Sequence, residues 1–210
     1  MASDDRRCRA RRWLAARLAT SAPLLLVLAA YPRPSQTAAQ TLQDKIAACA
    51  ACHGETGQSQ DQTVPSIGGQ PKLFVMYQLF FYREGRRANP EMKIITSGMS
   101  DAELTSISDY VAGLPPPVPT SSGPIEEARY RRGAELAGKR ICGACHNADY
   151  SGREQMPRLA GQHEAYLIRS LRDYQAGARI GTQAAMAEAV RGLNDADLAD
   201  LAYYLARFRQ

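Results

Sequence analysis

Two five-residue stretches carry the most distinctive chemistry in this 210-residue chain: CAACH at residues 49–53 and CGACH at residues 142–146. Two thiols three positions apart lie on one helical turn, so both can add to the vinyl groups of one porphyrin. The adjacent imidazole can then ligate the iron as the proximal ligand. The pattern predicts one covalently attached c-type haem at each stretch, held by the following residues: Cys49, Cys52 and His53; Cys142, Cys145 and His146.

Three other uses of paired cysteines fit the sequence less well. The C-x-x-C knuckles of a zinc ribbon lie about 15–20 residues apart, whereas these begin at positions 49 and 142. A thioredoxin-like site needs a βαβ setting, but the flanking residues are Ala, Leu and Tyr at helical spacing. Structural disulfides stay open as an alternative, although three-residue spacing within a helix is a poor way to cross-link a fold.

The chain contains an internal repeat. PSIGGQ at 65–70 is matched by PRLAGQ at 157–162, an offset of 92, and SDAEL at 100–104 is matched by NDADL at 194–198, an offset of 94. Four more positions recur at the offset of 92: Leu79 and Leu171, Tyr82 and Tyr174, Gly85 and Gly177, Arg87 and Arg179. A fixed offset of this kind indicates tandem duplication, with one haem domain in each half.

The repeat and the helical spacing of apolar residues predict an all-α fold with three helices in each half. These are expected over 41–51, 71–84 and from Ser100, and over 125–142, 163–176 and from Asn194. The proline-rich segment 115–124 is predicted to be an extended, stiff connector outside both cores. The predicted domains are therefore 40–114 and 125–210, called the first and second half below.

Residues 1–39 have the layout of a secretory signal. A basic, arginine-rich start is followed by the apolar run at 24–30 and by small residues up to Ala39, which predicts cleavage near Ala39 and a periplasmic mature protein. The apolar run is shorter than the roughly 20 residues of a membrane span. A retained anchor is the alternative.

Loss of residues 1–39 would also remove the excess positive charge. This segment holds seven arginines and two aspartates, so the chain's 26 basic and 21 acidic side chains become 19 of each. A nucleic-acid-binding domain keeps a basic surface, and the balanced mature chain excludes that class of partner. The first half has a net charge of −2 and the second half of +2, a small dipole that can orient an approach to a partner.

The sixth iron ligand is predicted from the repeat. Beyond residue 39 the only histidine outside the two motifs is His163, which matches Pro71 in the first half and is expected to be a surface residue at a helix start. Met92 and Met186 each lie nine residues before the matched aspartates of the 100–104 and 194–198 segments. They are the predicted axial ligands; the alternative is five-coordinate irons with both methionines in packing roles.

Other contacts of the haems are predicted in less detail than the iron ligands. A proximal imidazole usually donates its second N–H to a backbone carbonyl, and Pro65 and Pro157 are the plausible sources of that carbonyl. Six residues are candidates for holding the propionates, with no basis for a choice among them: Tyr77, Tyr82, Arg87, Tyr166, Tyr174 and Arg179.

Over residues 40–210 the chain resembles the cytochrome c4 family, secreted di-haem proteins built from two class I cytochrome c domains. The resemblance rests on the paired C-x-x-C-H, the P-x-[IL]-x-G-Q stretches, the G-x-R turns and the Met that precedes [SN]-D-x-[ED]-L. It implies domains related by an approximate two-fold axis, attachment by the four motif cysteines, and the axial pairs His53/Met92 and His146/Met186. The first half departs from the second at Pro71, which touches no ligand.

Three functions follow from these expectations. The first is electron transfer in the periplasm towards a terminal oxidase, which the resemblance implies, with membrane respiratory complexes (also a cytochrome bc complex) as partners and loose membrane association. The second is the electron-accepting subunit of a periplasmic dehydrogenase. The third, a di-haem enzyme such as a peroxidase, needs an iron with an open position, and a methionine for each haem leaves none. We therefore expect an electron carrier and not an enzyme.

Overall fold

Helices account for the regular structure of the protein. The computed structural model describes residues 36–119, 123–179 and 184–209, and in these ranges the extended pairings are two isolated bridges. The all-α prediction is confirmed. The helices are α1 (Gln36–His53), α2 (Lys72–Arg83), α3 (Pro90–Thr96), α4 (Asp101–Gly113), α5 (Glu127–Lys139), α6 (Cys142–His146), α7 (Glu164–Gln175), α8 (Ala184–Val190) and α9 (Asp195–Arg207).

Each half builds its own apolar core. In the first half, α2 packs against α3 and α4, and the core residues are Val75, Leu79, Met99, Leu104, Ile107 and Val111. In the second half, α9 packs between α5 and α7, and its core contains Leu167, Leu171, Leu198, Leu201 and Leu205. Each half thus has an apolar cluster of its own, and the division into two domains stays a prediction.

The closing helices, α4 and α9, are the last helix of each half, and both begin at the residue that the capping sequence predicts. Ser100 accepts a hydrogen bond from the Glu103 N–H while the Glu103 carboxylate accepts from the Ser100 N–H, which is a complete capping box. Asn194 and Asp197 form the same arrangement at the start of α9. The start of each closing helix is therefore set by local sequence.

The helix predicted over 125–142 is wrong in its length. It ends at Lys139, and Ile141 takes a left-handed conformation with φ 48° before the short helix α6 begins. Gly138 weakens the last turn, and the left-handed residue then turns the chain away from the axis of α5. In the first half α1 runs without a break into the end of its C-x-x-C-H motif.

The short helices α3 and α8 were not expected from the sequence. Asn89 caps α3 by accepting from the Met92 N–H at 2.7 Å, and Pro90 occupies its first turn. The Asn-Pro pair was the signal for this helix. Met92 lies in α3, and Met186 lies in α8.

The connector packs against both halves. Residues 115–119 have no helix or strand, as predicted, but they lie against Gly69 and Gly161, both with positive φ. A Cβ at Gly69 would lie 3.0 Å from Pro116 Cα, and one at Gly161 would lie 2.6 Å from the Pro117 oxygen. Glycine at these turns therefore lets the connector approach each half closely.

The predicted signal segment lies largely outside the described residues. Helix α1 begins at Gln36, a few residues before the predicted cleavage position, and the cleavage itself stays a prediction. Within the described ranges no helix is long and apolar enough to cross a membrane.

Candidate haem-binding sites

Each C-x-x-C-H motif lies at a helix end and buries its histidine. His53 ends α1 with 9% of its surface exposed, and His146 ends α6 with 4% exposed. The four motif cysteines form no disulfide. Cys52 and Cys145 are exposed, while burial raises the pKa of the Cys49 and Cys142 thiols. The disulfide alternative is therefore wrong for these cysteines.

The proximal histidines make the predicted backbone hydrogen bonds. His53 Nδ1 lies 2.8 Å from the Pro65 oxygen, and His146 Nδ1 lies 2.8 Å from the Pro157 oxygen. A carbonyl only accepts, so each ring carries its proton on Nδ1 and keeps the lone pair of Nε2 for a metal. Burial lowers the pKa of both histidines, partly opposed by these bonds. Both rings therefore favour the neutral form that ligates iron.

The predicted axial methionines occupy matching places. Met92 and Met186 are both half-buried, and each packs against the core of its own half. Met99 aligns with Leu193 in the repeat and so has no methionine counterpart; it is 6% exposed in the first core, and Leu193 is 8% exposed in the second. The core role of that pair agrees with the choice of Met92 and Met186, whose ligation stays a prediction.

A cluster of arginines and tyrosines joins the two halves. Arg87 and Arg179 form an antiparallel bridge, and their guanidinium groups lie 4.7 Å and 4.6 Å from the ring centroids of Tyr82 and Tyr174, respectively. Arg87 also donates to the hydroxyl of Tyr166 at 3.1 Å. The matched Arg–Tyr pairs have nearly equal distances, but the hydrogen bonds from Arg87 to Tyr166 and Gln78 have no equivalent at the matching positions among the residues that the structure describes.

This arginine cluster lacks an acidic partner within the described ranges. Gln78 Oε1 accepts from Arg87 at 2.6 Å and from Arg179 at 3.3 Å, and no carboxylate there forms an ion pair with either arginine. Burial raises the pKa of Tyr166, but the two arginines outweigh that effect and lower it to about 7. Two partly buried cations with no carboxylate partner in the described ranges favour an anion, so the cluster fits the carboxylates of bound haem.

The structure thus separates the six candidates for holding propionates. Five of them gather in the cluster, namely Tyr82, Arg87, Tyr166, Tyr174 and Arg179. Tyr77 instead stacks on Phe81 with ring centroids 6.1 Å apart. The sequence could not separate them because the cluster forms only when the two halves meet.

His163 is not the surface residue that the sequence predicted. It is 1% exposed, and its Nε2 lies 3.1 Å from the Ser59 oxygen and 3.4 Å from Ser66 Oγ, both in the first half. The prediction was wrong because the first half covers the start of α7, a contact that the repeat pattern does not encode.

The donor set fits haem better than a bare metal ion. In the described part of the chain, no group of three or more His, Cys, Asp or Glu side chains is placed to hold a metal ion. Each half instead offers two thiols beside one buried imidazole, together with a share of the arginine cluster. These are the groups that a covalently bound porphyrin with acidic substituents requires.

Comparison with known proteins agrees with this geometry. Residues 130–208 match the family model for cytochrome c. The chain is 30% identical over 173 residues to a cytochrome c4 of Pseudomonas aeruginosa, which covers 78% of this chain and 85% of that protein. It is also 30% identical to a thiosulfate dehydrogenase electron acceptor of Thiomonas intermedia, over 77% of this chain and 79% of that protein.

A solved structure extends the likeness to the whole di-haem architecture. Reduced recombinant cytochrome c4 from Pseudomonas stutzeri superposes with a TM-score of 0.73 at 27% identity, over 81% of this chain and 98% of that chain. The tandem all-α fold therefore has a direct counterpart. The chain belongs to the cytochrome c4 family, and it is a di-haem c-type electron carrier rather than an enzyme.

Proposed function

We propose that this chain carries electrons through two haems with the same ligation. Cys49 and Cys52 would attach one haem, with His53 and Met92 as its axial ligands. The second half would use the equivalent residues Cys142, Cys145, His146 and Met186. Each bound haem supplies a one-electron ferric–ferrous couple. The single observation that carries the proposal is the pair of buried histidines, each with Nδ1 bonded to a proline carbonyl at 2.8 Å.

The residues around each site suit electron transfer without substrate binding. Met92 and His53, and likewise Met186 and His146, would fill both free positions of a haem iron, and this type of ligand pair raises the haem potential. Arg87 and Arg179 would receive propionates at the interface, which would neutralise their charge. Because that cluster joins the halves, both haem sites would have an edge near it, and an electron could pass between them within the molecule.

We place this transfer in the periplasm, towards a terminal oxidase. The predicted signal at residues 1–39 supports export, and the C-x-x-C-H chemistry suits a chain that receives its haem after export. The oxidase, and a cytochrome bc complex as donor, are the partners that the family resemblance implies. The balanced charge of the mature chain supports a protein partner rather than nucleic acid.

A second candidate is the electron acceptor of a periplasmic dehydrogenase. The likeness to a thiosulfate dehydrogenase electron acceptor favours it, since that relative matches most of the chain at 30% identity. The haem ligation would be the same in both roles, so the two candidates differ only in the protein that donates or accepts the electron.

The ligation is tested by spectroscopy of purified protein. We expect two covalent c haems per chain in a pyridine haemochrome assay, and the weak far-red band of Met-ligated ferric haem. Met92→Ala and Met186→Ala should each remove about half of that band. Met76→Ala, which alters a half-buried methionine in α2, is the matched control and should leave the band intact. One haem per chain, or a high-spin spectrum without the band, would contradict the proposal.

The direction of transfer is tested with two partners. Reduced protein should be oxidised rapidly by oxidase-containing membranes and only slowly by membranes whose oxidase is blocked by cyanide. Oxidised protein mixed with a thiosulfate dehydrogenase and thiosulfate tests the second candidate. Rapid reduction there, without rapid oxidation by the membranes, would favour the dehydrogenase role.

A further inference from the structure

Two matched glutamines reach across the interface and bind the backbone of the opposite half. The amide of Gln162 accepts from the Ser66 N–H at 2.9 Å and donates to the Ser66 oxygen at 2.7 Å. The amide of Gln70 accepts from the Arg158 N–H at 2.9 Å and donates to the Arg158 oxygen at 3.0 Å. Each glutamine is 4% exposed; the bonds of Gln162 are buried and those of Gln70 are partly buried.

The two residues bound by the glutamines, Ser66 and Arg158, each come directly after a proline whose carbonyl contacts a proximal histidine. Ser66 follows Pro65, whose carbonyl accepts from His53, and Arg158 follows Pro157, whose carbonyl accepts from His146. Each glutamine therefore accepts from the N–H of the same planar peptide unit whose carbonyl orients the proximal histidine of the other half.

We propose that Gln70 and Gln162 are positioning residues that tune the haem of the opposite half through this carbonyl. Gln162 acts on the haem at His53, and Gln70 acts on the haem at His146. The inference rests on the proposed ligation by these two histidines. It adds a structural route by which each half affects the electronic properties of the other.

The physical basis is the strength of the histidine hydrogen bond. A carbonyl held firmly at 2.8 Å from Nδ1 makes the imidazole a better electron donor to the iron. A better donor stabilises the ferric state and lowers the reduction potential. When the glutamine is absent, the loop that carries the carbonyl gains freedom, the bond weakens, and the potential of the opposite haem rises.

The effect is expected to be unequal in the two directions. The loop of the first half is also held by His163, whose Nε2 lies 3.1 Å from the Ser59 oxygen. The matching position in the first half is Pro71, whose side chain has no hydrogen-bonding atom to offer Arg158 or its neighbours. The loop of the second half keeps a further bond across the interface, from the Phe74 N–H to the Glu154 oxygen at 2.9 Å, against the two contacts of the His163 ring with the first loop. Loss of Gln70 should therefore produce the somewhat larger shift in potential.

The test is a potentiometric titration of the Gln70→Leu and Gln162→Leu proteins, with the haems distinguished by their NMR methyl signals. Leucine keeps the buried volume and removes both hydrogen bonds. We expect Gln70→Leu to raise only the potential of the haem at His146, and Gln162→Leu to raise only that of the haem at His53. The Nδ1–H of the same histidine should exchange faster with solvent in each case.

Gln58→Leu is the matched control. Gln58 donates to the Val118 oxygen at 3.1 Å and accepts from its N–H at 3.3 Å, so it makes the same pair of bonds to the connector and none to a proximal carbonyl. It should move neither potential. A shift of both haems by either test variant, or of the haem in the mutated half alone, would overturn the proposal.

One measurement on the unaltered protein covers the case in which a variant does not fold. The N–H groups of Ser66 and Arg158 should exchange as slowly as the amides of α2 and α7. Exchange as fast as in unbonded loops would overturn the proposal. A wild-type spectrum without two Met-ligated haems would instead contradict the ligation itself, so the two failures are distinguishable.

Discussion

The two halves share one plan but differ in how far each completes its own core. In the described part of the chain, the second half buries fourteen hydrophobic residues in one cluster and the first half buries six. The second half adds edge-to-face contacts among four rings: Tyr130, Tyr150, Tyr204 and Phe208. Tyr110, which matches Tyr204 at an offset of 94, is 39% exposed in the first half.

The contact between the first and last helices of each half shows the same difference. These helices are α1 and α4 in the first half, and α5 and α9 in the second half. In the second half α5 lies directly against α9 at Gly133, and Arg129 and Arg132 both bind Asp200. In the first half Lys45 and Glu103 form an ion pair between these helices, with both side chains partly exposed. The first half also has its loop held by His163 of the second. The described residues of the first half therefore form a smaller apolar core, and a weaker contact between these two helices, than those of the second half.

Gly133→Ala should produce the largest loss, because it breaks the contact that distinguishes the second half. A Cβ at this position would lie 2.2 Å from the Asp200 backbone oxygen and 2.5 Å from Tyr204 Cβ. Helix α5 would have to move away from α9, at a cost of about 2–3 kcal/mol in the free energy of unfolding. Urea unfolding followed by circular dichroism measures this loss.

The control lies in the same helix. A Cβ at Gly138 meets nothing within 4 Å, so Gly138→Ala should raise stability by about 0.5–1 kcal/mol through helix propensity. Equal losses for both variants would mean that helix chemistry, and not the close approach of α5 to α9, explains the result for Gly133.

The sequence-based predictions were accurate where the interacting residues lie close together along the chain. The haem motifs, the capping residues Ser100 and Asn194, and the carbonyls of Pro65 and Pro157 were all predictable. Each depends on neighbours within about a dozen positions, so a single sequence and its repeat contain the necessary information.

The errors and gaps concern the surface between the halves. His163 was wrongly assigned to solvent, and the roles of Gln70 and Gln162 went unnoticed although both belong to the repeated G-Q motif. A repeat shows that two halves fold alike, but it does not show which faces they bury against each other. The repeated glutamine was the one available signal, since a polar residue kept in both copies suggests a role that depends on hydrogen bonds.

Asp200→Asn should have a moderate effect and sharpen the comparison of ion pairs. Asp200 accepts from Arg132 at 2.5 Å and from Arg129 at 3.1 Å, and its side chain is 11% exposed. Loss of its charge should cost about 1–3 kcal/mol. The matched change Glu103→Gln, at the more exposed pair of the first half, should cost about 1 kcal/mol or less.

The stability lost in Asp200→Asn should depend on pH in a definite direction. The hydrogen bond from Arg132 lowers the pKa of Asp200, although burial opposes it, and Arg129 lowers it further. A depressed folded-state pKa means that the stabilisation is complete above the unfolded value of about 4 and is lost as the pH falls through the folded value. The gap between wild type and Asp200→Asn should therefore shrink below about pH 4. A gap that stays constant there would show that the charge is not responsible.

Ile141→Asn should have the smallest effect and the opposite sign. Ile141 is a β-branched residue in the left-handed region, with φ 48° and 71% of its surface exposed. That conformation costs about 1–2 kcal/mol for most side chains, whereas Asn tolerates it. Since little apolar surface is buried here, the substitution should stabilise the protein by about 1 kcal/mol in urea unfolding. The matching residue Ala48 lies within the continuous helix α1, where no such strain exists to be relieved.

Ile94→Asn separates relief of strain from removal of an exposed apolar side chain. Ile94 is 74% exposed but lies within α3, outside the left-handed region. Asn has a slightly lower helix propensity than Ile, so this variant should lose a few tenths of a kcal/mol or show no change. If both substitutions stabilised equally, the benefit would come from replacing an exposed apolar side chain by a polar one, and the break between α5 and α6 would carry no strain. A gain at Ile141 alone would mean that the second half maintains a strained turn directly before its haem motif, where the first half has an unstrained helix.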